Sequence, residues 1–220
     1  MHNEPRILLI DKPKGITSFD VIRRLRRELG ITKMGHAGTL DPLATGLMII
    51  GIEEGTKKLE GFLKLPKTYE AVVRVGERRV TGDMEGAVLE SKEVADLSEG
   101  VVREALDAMV GTLSLAVPIY SAVKRGGVPL YKKARQGKEI EEVPIREMEV
   151  RSADFVSMDF FETEAGEKHA RISIRWHVAS GVYIRSLAEE LGRRLGYPAT
   201  IEDLRRTSIG DLSVADARSV

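Results

Sequence analysis

The stretch of this 220-residue sequence best equipped for chemistry is GHAGTLDPLATG, residues 35–46, followed at once by the apolar run LMIIGI. Three glycines and Pro42 mark a shaped loop rather than a regular element. Asp41 precedes the proline, which pushes its backbone away from α and toward an extended conformation. That places a single carboxylate on a rigid turn at the mouth of a strand, where it could act as nucleophile or base. The residue types also allow a simpler role, a turn aspartate bonding its own backbone.

Other catalytic equipment is missing. The sequence has no GxxxxGK[ST] phosphate loop, no GxGxxG after a strand and no GxSxG elbow. His2, His36, His169 and His177 form no HxxxH and no zinc spacing. His169 and His177 could share a strand face, but eight residues apart that parity fits packing better than ligation. With no cysteine at all, disulfides, Cys-based zinc sites and thiol nucleophiles are excluded.

The elements that must position Asp41 read as follows. Residues 6–10 form a short buried strand before the turn DKPKG. Thr17 and Asp20 make a capping box for a helix with an apolar stripe of Val21, Ile22, Leu25 and Leu29, stopped by Gly30. Residues 47–52 form a central strand, and 68–75 alternate Tyr69, Ala71, Val73 and Val75 against polar neighbours as a half-buried strand. Ser98 caps a second helix running to Val110 and closed by Gly111. Residues 147–161 and 168–178 are two long strands joined by ETEAGE. Residues 181–195 form a third helix closed by Gly196. Strand pairs with short turns and only three clear helices indicate an α+β fold.

With 42% hydrophobic and 31% charged residues, the chain is neither disordered, collagen-like nor a disulfide scaffold. Its length allows burial of about 70% of the unfolded surface. No apolar run approaches the roughly 18 residues of a membrane span, and the N-terminus lacks signal-peptide architecture. A cytoplasmic protein without membrane attachment is expected. Asn3 and Gln136 are the lone Asn and Gln, a depletion that fits a thermophilic source or simple compositional bias.

Net charge is zero, from 34 basic and 34 acidic residues, yet the charges are segregated. Residues 119–138 hold Lys124, Arg125, Lys132, Lys133, Arg135 and Lys138 and no acid. Arg23, Arg24, Arg26 and Arg27 cluster on the first helix. Residues 83–107 carry eight acids against two bases. A neutral molecule of this kind can still attract phosphates locally, although charge runs also serve as solvated faces. The glycine- and proline-rich stretch 126–144 is the best candidate for an excursion from the core.

Taken together, the wording of several segments resembles the TruB-type tRNA pseudouridine synthases. The resemblance is carried by LLIDKPKGITSFDVI, GHAGTLDPLATG, KTYEAVVRVG, TGDMEG, IYSAVKRGGVPLYKKARQGKEIE, SGVYIRSLAEELG and LRRTSIG, in the family's order across residues 8–210. It implies a single catalytic domain over residues 1–220. Its fold would be a mixed, largely antiparallel sheet flanked by helices, with an RNA-gripping insertion at 119–150. It also implies that Asp41 is the catalytic aspartate, that Tyr69 stacks on the target base and is a candidate for proton abstraction, and that Arg185 pairs with the aspartate. Tyr183 and Leu204 would enclose the flipped base, and His36 would take part in opening the RNA loop. Lys12, with Pro13, would support the floor of the site. Asp83 would be structural or RNA-positioning. The basic residues Lys124, Arg125, Lys132, Lys133, Arg135 and Lys138 would grip phosphates.

The implied reaction detaches uracil from C1′, rotates it and rejoins it through C5. Nothing is oxidised and nothing leaves, so no cofactor or metal is expected. The target nucleotide must be flipped out of its stack, with aromatic side chains replacing the missing stacking. The expected partner is the T arm of tRNA, with uridine 55 as substrate, no guide RNA, and a monomeric enzyme. Family members commonly continue into a small C-terminal RNA-binding module after the LRRT motif, whereas this sequence stops at Val220. Weaker RNA binding with an intact catalytic set is the expectation. Two other readings fit the same residues: a non-catalytic RNA-binding or RNA-folding module on this scaffold, and an enzyme acting on other structured RNAs.

Overall fold

Residues Arg6–Lys12 (β1) and Thr45–Ile52 (β3) pair antiparallel, from Arg6 opposite Ile52 to Lys12 opposite Gly46. In the computed structural model, which describes residues 6–136 and 143–220, the chain divides into two compact units. The first comprises Met1–Ala71, Trp176–Ser180 and Asp203–Val220; the second comprises Val72–Arg175 and Gly181–Glu202. Three strands, Lys67–Val75 (β4), Lys168–Val178 (β11) and Ala199–Ile209 (β12), contribute residues to both.

In the first unit, Ser18–Leu29 (α1) follows β1. Its N-terminus is the expected capping box: Thr17 Oγ1 accepts from Asp20 N, and the Asp20 carboxylate accepts from Thr17 N. Gly30, at φ 67°, ends the helix in the left-handed conformation. Val21, Ile22 and Leu25 are buried, whereas Leu29 is only half-buried. Met34–His36 (β2) adds to β3 from one side. On that same edge, away from β1, β12 pairs with the start of β3 in parallel, placing Arg205 opposite Thr45 and Arg206 opposite Gly46. Leu212–Ser213 (β13) folds back on the end of β12, and Arg218–Ser219 (β14) runs parallel to β1. The core is built on Ala37, Leu47, Ile49, Leu59 and Ile209, and burial of such side chains contributes roughly 1.5–3 kcal/mol each for the larger ones.

Lys67 ends the short helix Leu59–Leu63 (α2) by donating from Nζ to the carbonyls of Leu63 and Leu65, both at 2.6 Å. Burial, with nearby Arg206 adding repulsion, pushes its pKa down to about 8. The folded state therefore releases this proton before the unfolded chain does, and Lys67 makes stability rise with pH between about 8 and the unfolded lysine value near 10.4. Melting temperatures across this window should show that rise in the native protein and lose it in Lys67→Met.

The second unit contains the hairpin Glu77–Arg79 (β5) and Val88–Ser91 (β6), then Glu99–Asp107 (α3), Gly111–Ala116 (β7), Ile145–Glu162 (β10) and Ile184–Leu195 (α5). β7 lies against the start of β10, with Gly111 opposite Val150 and Ala116 opposite Ile145. Ser98 caps α3 as expected, but the helix ends at Asp107 and Gly111 opens a strand instead of closing the helix. α5 begins at Ile184, three residues later than its sequence pattern suggests, and ends at Gly196, φ 76°. Within the basic insertion, Lys124–Arg125 (β8) and Val128–Pro129 (β9) form a small hairpin leading into Leu130–Arg135 (α4). Leu130 is fully buried with Val117 and Met148, which roots this excursion in the unit's core.

Candidate active site

Asp41 sits half-buried in the irregular stretch between β2 and β3, and its main chain is fastened on both sides. On one side, the buried Ser18 hydroxyl accepts from Leu40 N at 2.8 Å and donates to Leu40 O at 3.0 Å. On the other, Pro42 O accepts from Gly15 N at 2.8 Å and from the Lys12 ammonium at 3.3 Å. Ala44 N closes the turn onto Asp41 O at 3.1 Å. The carboxylate thus stands on a backbone whose neighbours cannot drift, the preorganisation that catalysis by positioning needs.

Lys12 is 0% exposed, and its ammonium also donates to Pro13 O at 2.9 Å and Ile16 O at 2.7 Å. A buried ammonium is tolerable only when its donors are used, and here they tie the KPKG turn to the Asp41 loop.

A residue not singled out from the sequence, Arg206, performs a similar task from β12. It is 1% exposed, and its guanidinium donates to Leu47 O at 2.7 Å and Gly38 O at 3.2 Å, spanning the loop from start to end. Next to it, Arg205 forms a two-pronged pair with Asp11, at 3.1 and 2.7 Å. Gly46 closes the loop at φ 105°, and a Cβ there would lie 2.2 Å from Arg206 O. In the sequence, Ser18 is legible only as a helix-start residue, and Arg206 carries no signal beyond its place in LRRTSIG.

His36, half-buried on β2, is held below its ordinary pKa, chiefly by burial. A hydrogen bond with the Gly38 backbone opposes the shift, and nearby Arg206 adds to it. The ring is therefore predominantly neutral near pH 7. Tyr69 is 8% exposed on the buried face of β4, and Leu204 is buried on β12. Asp41, His36, Lys12, Tyr69 and Leu204 all belong to the first unit.

Arg185, Tyr183 and Asp83 belong to the second. Arg185, buried at the start of α5, donates to Thr81 O at 2.7 Å and Tyr120 O at 2.9 Å. It thereby ties the TGDMEG turn and the root of the basic insertion to one helix. Tyr183 occupies the N-cap of α5 and packs against Val117, Leu130 and Met148. Asp83 accepts from Thr81 Oγ1 at 2.5 Å and from Glu85 N at 3.1 Å, the bonding of a turn aspartate. Lys124 and Lys132 are placed in the basic insertion with Lys133, which is half-buried; Arg125 and Arg135 fall on β8 and α4, and Lys138 lies outside the described residues.

The remaining described histidines have local partners. His177 Nδ1 lies 3.1 Å from Thr68 Oγ1, while buried His169 lies 3.3 Å from Ser91 Oγ and packs against Gly76. Among the described residues, no cluster of His, Cys, Asp or Glu could hold a metal, and no helix is long and apolar enough to cross a membrane.

Comparison with known proteins fits this arrangement. Residues 26–184 match the family described as TruB family pseudouridylate synthase, N-terminal domain. The chain is 40% identical over 211 residues to tRNA pseudouridine synthase B of Burkholderia pseudomallei, covering 96% of this chain and 66% of that protein, just under two-thirds of its length. It is 39% identical to tRNA pseudouridine synthase B of Opitutus terrae, covering 96% of this chain and 83% of that protein. Among solved structures, a Cbf5-Nop10-Gar1 complex contains a chain 25% identical with a TM-score of 0.64, covering 94% of this chain and 50% of that one. An archaeal box H/ACA Nop10-Cbf5 complex gives the same TM-score at 24% identity, covering 94% of this chain and 48% of that one, a likeness of fold. The fold is therefore the expected mixed sheet with flanking helices, and with a match over most of its length and an Asp41 loop fastened at both ends, the chain belongs to the TruB family of pseudouridylate synthases.

Proposed function

We propose that this chain isomerises uridine to pseudouridine in tRNA, acting on the T-loop uridine at position 55. The observation that carries the reading is the fastened Asp41 loop: Ser18 and Lys12 hold the residues on either side of a half-buried carboxylate. The tRNA pseudouridine synthase B relatives supply the substrate class. In the proposed reaction the uridine leaves its stack and Tyr69 offers a ring in exchange, a contact worth about 1–3 kcal/mol. Asp41 in its ionised form assists cleavage of the C1′–N1 bond. The uracil turns so that C5 faces C1′, the new C–C bond forms, the C5 proton passes to solvent and N1 takes up a proton. Every atom of the base except that hydrogen is retained, so the balance needs no second substrate.

Release of tritium from 5-tritiated uridine in unmodified tRNA tests the reading. Release that maps to position 55 supports it. RNA binding with no release would leave a non-catalytic RNA module, and release from other positions would change the target. The basic insertion is proposed to supply phosphate contacts. Lys124→Ala with Lys132→Ala should lower the slope of log affinity against log salt by about 0.7–0.9 for each phosphate left unneutralised. An unchanged slope removes these two lysines from phosphate binding.

A further inference from the structure

The arginine cluster on α1 has no part in the chemistry above, and its surroundings suggest a use. Arg23, Arg24 and Arg27 line an open depression of about 350 Å³ with Ile16 and Asp20. The lone acid there is already engaged: Asp20 accepts from Thr17 in the capping box and pairs with Arg23. Arg24 has a long contact, 3.4 Å, to the Val220 carbonyl, and Arg27 has no carboxylate partner among the described residues. Arg23 and Arg27 stand one helical turn apart, a rise of about 6 Å. Beside them Phe19 is 54% exposed, with the guanidinium carbons of Arg23 and Arg26 lying 5.7 and 5.8 Å from its ring centroid.

A large aromatic exposed in the first turn of a helix and flanked by arginines is poor design for a solvated face. Guanidinium forks suit phosphate oxygens, and a ring edged by cations suits an unstacked base. The location adds direction. Phe19 follows Ser18 directly, and the Ser18 hydroxyl is bonded to Leu40, the residue before Asp41. Through those bonds the start of α1 is tied to the loop that carries the candidate catalytic carboxylate.

Resting on the reading of the chain as an RNA-acting enzyme, we infer that the Phe19–Arg23–Arg24–Arg27 face of α1 is a second RNA-contact surface, separate from the basic insertion. It takes the phosphodiester backbone next to the target nucleotide on the arginines and an unpaired base on Phe19. An acidic polypeptide would meet the arginines but leave the exposed ring without a planar partner.

The test measures binding of unmodified tRNA by the full chain over a salt series, with tritium release by the wild type recorded alongside. Arg24→Ala with Arg27→Ala should weaken binding and lower the slope of log affinity against log salt by about 1.4–1.8, the value for two phosphates. Arg24→Lys with Arg27→Lys should keep most of that slope. Phe19→Ala should weaken binding about tenfold with the slope unchanged. An unaltered slope and affinity in the double alanine variant overturns the surface. So does weakened binding of poly-L-glutamate with tRNA binding intact, which assigns the face to an acidic polypeptide. If the wild type binds tRNA but releases no tritium, the enzymatic reading fails while the slopes still decide the surface. Absence of tRNA binding by the wild type overturns both.

Discussion

Asp41→Asn is expected to lower tritium release by at least about 10³-fold while leaving tRNA affinity and folding nearly unchanged. The reason lies in what holds the loop. Leu40 is fixed through its own N–H and carbonyl, Pro42 through its carbonyl, and Asp41 through its backbone oxygen to Ala44. These contacts are made by main-chain atoms, which an amide side chain leaves in place. Asparagine keeps the size of aspartate but not its charge or basicity, so the change removes the chemistry and spares the positioning. A stability decrease within about 1 kcal/mol, together with abolished release, is the expected pair of results. Turnover within tenfold of wild type would take Asp41 out of the reaction. Failure to fold, together with inactivity, would show the residue to be a turn aspartate only.

The largest stability effect is expected at Gly46. Its φ of 105° already disfavours any side chain, and a Cβ would lie 2.2 Å from Arg206 O and 2.8 Å from Arg206 N. Those are backbone atoms of the neighbouring strand, and they cannot yield unless β3 and β12 separate. Gly46→Ala should therefore cost more than about 4 kcal/mol, in the range reserved for disrupted cores. A built-in comparison is Gly111, φ 115°, where a Cβ would meet nothing within 4 Å. Gly111→Ala should cost only the conformational strain, about 1–3 kcal/mol. Urea denaturation of the two variants separates strain from collision, and equal costs would show that the close approach of the strands is unimportant.

How much of the fold and the site is legible in the sequence depends on whether the deciding contacts are local. Thr17 and Asp20 are three residues apart, so the capping box can be read directly, and it forms as expected. The apolar run after the Asp41 loop is a fully used strand, β3. β12 does not read as a strand because it carries Glu202, Asp203, Arg205 and Arg206 among its apolar residues. Charges at that density usually signal a surface, yet Arg206 is buried because carbonyls of Gly38 and Leu47 receive it. The same long-range bonding hides Arg206 and Ser18 from a reading of the site. Pro42 and the glycines mark a stiff loop at Asp41, but residue types cannot say which distant groups hold it. The end of α3 differs from expectation for another reason: Gly111 fits a helix terminator as well as the start of β7.

The fasteners of the Asp41 loop also differ in when they can exist. Those from Ser18 and Lys12 bridge 22 and 30 residues, so a nascent chain can make them once its first few dozen residues are free. Those from Arg206 bridge 159 and 168 residues, and the ribosome must have synthesised nearly all of these 220 residues before they form. Contacts of such separation close late. During synthesis the loop therefore stays half-fastened until β12 emerges, and its full set of fasteners is completed only then.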